Sequence, residues 1–209
     1  MDWSRIRSLW NALALCALSV SGLVGCVPER PEPAVREAGA LPVARPFALA
    51  REGAHDEFEI ELSDSNRPVF IGIRAVHDPS SRDAEERGRA VLRYLETAAI
   101  PVRLEVHRWD GSRWQPFPMM TLAGDGTASP HYAVHRDPVY QHHPPAHWSG
   151  RELIDAGLWD ANAAYFEHEI AAFGDYAPGR YRIRVSSLHV HPVLAGTPFQ
   201  VVVAHRRDY

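Results

Sequence analysis

Apolar and polar residues alternate with a period of two along most of this chain. In "FEIEL" Phe58, Ile60 and Leu62 fall on one side and Glu59 and Glu61 on the other, which predicts a half-buried strand. "PVFIGIRAV", Pro68 to Val76, is apolar on both sides and predicts a central strand. "VRLEVHRW" sets Val102, Leu104 and Val106 against Arg103, Glu105 and His107, and Asp110-Gly111 follows as a hairpin turn. The return strand would be "RWQPFPMM", weakened by its prolines. "AYFEHEIAAF", "APGRYRIRV" and "TPFQVVVAHR" predict three more strands, with Tyr181, Ile183 and Val185 inward and Arg180, Arg182 and Arg184 outward.

Two segments break this rhythm. From Asp83, with Glu86 three residues on as a capping partner, Val91, Leu92 and Leu95 share one helical face ending before Pro101. A shorter helix is expected from Ser149, with Glu152 closing a capping box and Gly157 stopping it. The sum is a mainly β fold: an antiparallel β-sandwich, Ig-like or jelly-roll-like, with one or two helices in the connections.

The start of the chain follows another pattern. Arg5 and Arg7 precede the apolar "SLWNALALCALSVSG", a basic head and short apolar run that predict a signal peptide over residues 1–25. It ends in Leu23-Val24-Gly25-Cys26, which resembles the lipobox of bacterial lipoproteins. That resemblance implies cleavage before Cys26 and lipidation of its thiol. Cys16 would leave with the signal, so the mature chain would hold neither a free thiol nor a disulfide. Residues 26–46, "CVPERPEPAVREAGALPVARP", are proline-rich and lack an apolar period, which predicts a lipid-anchored linker. The folded domain is then expected over 47–209. Val27, next to the lipidated cysteine, implies sorting to the outer membrane, facing the periplasm, by resemblance to such signals.

Charge narrows the function. All 22 basic residues are arginine, and losing Asp2, Arg5 and Arg7 with the signal leaves about −5. A nucleic-acid partner would call for a basic face, so none is expected.

Order and motif together resemble a known family. "RDAEERGRAVLRYL", then "IPVRLEVHRWDG", then "APGRYRIRVSSLHVHPVLAGTPFQVVV" look like the DUF5625 family of proteobacterial lipoproteins, over roughly Phe47 to Val203. The resemblance implies a β-sandwich on a lipid anchor and brings no catalytic residues. Small lipoproteins of this layout are similar to immunity proteins that neutralise toxic effectors.

The search for chemistry yields no catalytic constellation. His131, His135, His142, His143 and His147 crowd one stretch, but the prolines among them oppose the helix that zinc-ligand spacing would need. His189 and His191 could share a strand face. "HEIAA" has Ala172 where the zinc-protease motif places its second histidine. Glu167 and Glu169 share a strand face, as do Glu57, Glu59 and Glu61, an arrangement polar strand faces produce routinely. Neither metal nor cofactor is therefore expected.

The remaining feature is residues 123–150, a long loop rich in His and Pro. It carries Tyr132, Tyr140 and Trp148 with Arg136, while Arg151 and Trp159 follow. Aromatics and arginines on a proline-stiffened loop are suited to partner binding. The sequence thus predicts a non-catalytic lipoprotein that binds another protein, with the immunity role as its specific form. The competing expectation is a cell-envelope carbohydrate binder or carboxylate-dependent glycan-processing protein.

Overall fold

In a computed structural model, residues 38–63, 67–80, 82–123, 131–146 and 150–205 are described, within one compact unit, Arg36–Tyr209. The expected signal peptide, Cys26, Ser149, Trp148 and His147 lie outside the described residues. No helix among the described residues is long and apolar enough to cross a membrane.

The chain forms a two-sheet β-sandwich. One sheet holds β1 (Gly39–Ala40), β3 (His55–Leu62), β5 (Val102–Trp109), β6 (Trp114–Pro116) and β11 (Gly179–Ser187), in the order β1-β3-β11-β5-β6. β9 (Val139–Tyr140) pairs with β5 beside β6. The second sheet runs β2-β12-β4-β10-β7-β8, from β2 (Val43–Phe47), β4 (Val69–His77), β7 (Met119–Ala123), β8 (His131–His135), β10 (Ala164–Phe173) and β12 (Phe199–His205). Pairing is antiparallel except between β1 and β3.

The alternation read from sequence decides what lies inside. Phe58, Ile60, Leu104, Val106, Ile183 and Val185 face Ile71, Ile73, Val201 and Val203 across the core. Tyr181 is fully buried and donates its hydroxyl proton to the Ala177 carbonyl oxygen at 2.7 Å. β4 is central, between β12 and β10, and both of its faces are covered. The outer one, with Phe70, meets Ala172, Val202, Ala204 and Leu153 in a second small core.

Leu153 comes from α2 (Gly150–Asp155), which Gly157 ends at φ 68°. Leu158 N–H reaches the Leu153 carbonyl and Gly157 N–H that of Ile154, a Schellman stop that returns Leu158 to the same small core. Glu152 then ties the helix to one end of the sheet, pairing with Arg67 before β4 and lying 3.0 Å from Nδ1 of His205 at the close of β12.

Several expectations need correction. The domain does not begin at Phe47: β1 and β2 fall in the expected linker, and β2 pairs with β12 from Val43↔Val203 to Phe47↔Phe199. Pro42 and Pro46 masked the alternation, and an edge strand tolerates the missing N–H of Pro46. Helix α1 (Arg82–Thr97) starts before Asp83, so this aspartate lies in the first turn; Val91 and Leu95 are buried and Leu92 only half-buried. The return strand after Asp110-Gly111 is split. β6 stays with β5, and Pro116-Phe117-Pro118 carries the chain to the other sheet as β7. Finally, 123–150 is not an irregular loop throughout, since β8 pairs with β7 from Met119↔His135 to Ala123↔His131, and β9 with β5.

Candidate functional site

The outward face of the first sheet is a ladder of opposite charges. Strand register sets Glu57 and Glu59 of β3 beside Arg184 and Arg182 of β11, with Glu105 of β5 on the far side. Arg182 and Arg180 both bond the buried Glu59 carboxylate, at 3.0 and 2.5 Å, and Arg182 also lies 4.3 Å over the Trp114 ring. Of the glutamate trio expected on this face, Glu57 and Glu59 are thus paired with arginines of β11.

The other carboxylate pair, Glu167 and Glu169, points to the outer side of the second sheet. Glu169 is buried and accepts the Tyr132 hydroxyl proton at 2.9 Å. Beside it, the almost fully buried Arg74 donates to Gln200 Oε1 at 2.9 Å and to the Leu158 carbonyl at 2.8 Å, over the Tyr165 ring at 4.3 Å. Desolvation lowers the Arg74 pKa, with the charges of Tyr165 and Glu167 opposing it.

The histidines scatter rather than gather. His131 and His142 are exposed, whereas His143 is buried with Nε2 2.7 Å from the Ile100 carbonyl. His168, in the "HEIAA" stretch, is buried on strand β10 with Nδ1 2.8 Å from the His143 carbonyl. His189 and His191 do not share a strand, because β11 ends at Ser187; His189 is exposed, and buried His191 meets the Tyr94 hydroxyl at 3.0 Å. Among the described residues no group of three or more metal-ligating side chains converges.

The predicted partner-binding residues separate into two places. Tyr132 and Trp159 are half-buried against the small core: Tyr132 sits edge-on to Phe70 at 5.7 Å, and Trp159 packs on Tyr165 at 4.5 Å. Arg151 is exposed on α2, 3.9 Å from Asp155. Tyr140 is buried, not presented on a loop, and burial pushes its hydroxyl pKa up to about 12. It packs against the tilted ring of His135 at 4.4 Å and walls a cleft of about 590 Å3, which exposed Arg136 also lines. The cleft opens where β5 loses its neighbour between β9 and β6. Leu104 N–H is met there by the Pro138 carbonyl, and proline has no N–H to return.

Sequence reasoning missed a further surface. In the β7–β8 register Met120 lies opposite Val134 and Leu122 opposite Tyr132, four apolar side chains on the outward face. Val134 is 59% and Leu122 36% exposed. β8 ends the sheet, and among the described residues it pairs with β7 alone. The alternation in "HYAVH" was the available signal, masked by the polar, glycine-containing "GDGTASP" before it.

No family model matches the chain, and no curated protein matches it either. Among solved structures it is similar to a protein of Sulfurospirillum deleyianum known from a crystal structure. The two are 13% identical, with a TM-score of 0.48, over 80% of this chain and 98% of that one.

Proposed function

We propose that this protein is a non-catalytic lipoprotein of the bacterial envelope that grips another protein, in the manner of an immunity protein holding its effector. The observation that carries the reading is the β7–β8 hairpin. Among the described residues its terminal strand is paired on one side, by β7, and stands beside exposed Val134 and Leu122. Another strand saturates such an edge most completely, so the expected partner contributes an extended segment that adds to β8. Exposed Arg136 and Arg151 are suited to the rim of that contact. Leu23-Val24-Gly25-Cys26 supports the anchor.

The test is a photo-crosslinker at position 134 in envelope extracts, followed by titration of the captured partner. Val134→Lys should weaken that affinity by about thirtyfold, the hot-spot scale, and leave the thermal midpoint unchanged. An equal loss from Val193→Lys, on a remote turn, would sink the proposal. So would self-association that Val134→Lys abolishes, since a second copy would then own the edge. For the anchor, acyl labelling should be present in the wild type and absent in Cys26→Ser.

A further inference from the structure

One end of the sandwich carries a second cleft, of about 510 Å3, bounded by the end of β4, helix α1 and the turns at 160–163 and 196–198. At its wall the imidazole of His77 is clamped. One side stacks on Phe166 at 5.8 Å and 21° between planes, and the other rests against Gly88 of α1. A Cβ at position 88 would lie 2.7–2.9 Å from three ring atoms, so any larger residue would have to displace the ring from this position. Glycine is the least favourable residue in a helix interior apart from proline, and at position 88 its missing side chain is what lets the ring pack this closely. The result is an immobilised imidazole. Among the described residues neither of its nitrogens is hydrogen-bonded, and the ring is only half-buried.

The other polar groups of the cleft define what would suit that imidazole. Asp78 and Asp160 are acceptors, Arg87 is a donor, and Asn162 and Thr197 can be either. Ser80 N–H donates to Asp78, and the Asn162 backbone N–H and side-chain amide both donate to Oδ1 of Asp160, leaving further acceptor capacity in both carboxylates. Two carboxylates against one guanidinium disfavour an anion. Three groups able to donate or accept match hydroxyls, which do both. Val91, Phe166 and Pro198 supply an apolar wall for a C–H face. A volume of this size takes a ligand of one to two sugar rings.

We infer that the His77 cleft is a binding site for a neutral sugar ring, read by His77, Asp78, Asp160, Asn162 and Thr197. It is separate from the β7–β8 edge and stands or falls independently of protein binding.

The experiment is saturation-transfer NMR on the purified full chain with three probes: glucose, N-acetylglucosamine and, as a zwitterion, alanine. At least one sugar should receive saturation and alanine none. His77→Ala should weaken the sugar at least about tenfold, the effect of losing one hydrogen-bonding partner. Gly88→Ala should do the same by displacing the ring, and Thr197→Val offers an isosteric check in case either variant folds poorly. Trp114→Ala, on the outward face of the other sheet, should leave the signal unchanged. Saturation of neither sugar, saturation that survives both His77→Ala and Thr197→Val, or saturation of alanine alone would each overturn the inference.

Discussion

His168 Nδ1 lies 2.8 Å from the carbonyl oxygen of His143, and the His143 ring passes the chain of contacts on to Ile100 at 2.7 Å. Each imidazole donates to a backbone carbonyl, which fixes its tautomer, and both are buried. This holds residues 141–146, which β10 meets at Pro145↔His168, against the sandwich.

The pair makes stability sensitive to acid. Burial lowers the His143 pKa to about 4, and that of His168 falls for the same cause. A depressed pKa means that the unfolded chain takes up protons first. The contribution is therefore complete above the ordinary histidine pKa near 6.5 and is lost as the pH falls towards 4. The loss should be roughly 3 kcal/mol for His143 alone. Urea melts from pH 7 to pH 4 should show a flatter acid limb for His143→Gln than for wild type.

Ile183 is fully buried between the sheets, whereas its neighbour Arg184 is about half exposed beside Glu57. Ile183→Ala should cost about 2–5 kcal/mol through transfer and cavity terms. Arg184→Ala should cost less than about 1 kcal/mol. Comparable urea midpoints for the two variants would contradict the assigned strand faces.

Arg74 bridges Gln200 and the Leu158 carbonyl from within the second sheet. Arg74→Ala would orphan both acceptors and open a cavity, a loss of about 2–4 kcal/mol. Arg74→Lys should recover less than half, because an ammonium lacks the planar fork that reaches both and stacks on Tyr165. Full recovery by lysine would show that charge alone matters.

Gly157 adopts φ 68° where α2 stops. Gly157→Ala should cost about 1 kcal/mol through left-handed strain. Amide exchange at Leu158 should quicken while that at Ile183 stays unchanged. Equal acceleration at both would mean that α2 and the sandwich open as one unit.

Much of the sandwich was legible because period two reports burial directly, as at Tyr181, Ile183 and Val185. The helix over 82–97 showed for the matching reason, with Val91 and Leu95 one turn apart. β2 and β8 were hidden. Prolines interrupt β2, and β8 is short, isolated by polar residues and apolar towards the outside. The candidate sites were less legible still. Tyr140 looks like a loop aromatic until its pairing with Val102 is known. The clamp on His77 depends on residues 77, 88 and 166 meeting in space, which no local pattern encodes. Gly88 inside a helical run was its one visible trace.

The register of β4 has a consequence for how the chain acquires its shape. Both neighbours of this strand, residues 164–172 on one side and 199–205 on the other, lie about 90 to 130 positions downstream. Closing loops of that length comes late, so high contact order should make folding slow, on the millisecond-to-second scale. Throughout synthesis "VFIGI", an uncharged and β-prone run, waits without a partner. Arg67 just before it and Arg74 just after act as gatekeepers against premature strand exchange between chains. Removing residues 199–205 should therefore do more than shorten the protein: it would leave one edge of that run permanently bare and turn a slow folder into an aggregating one.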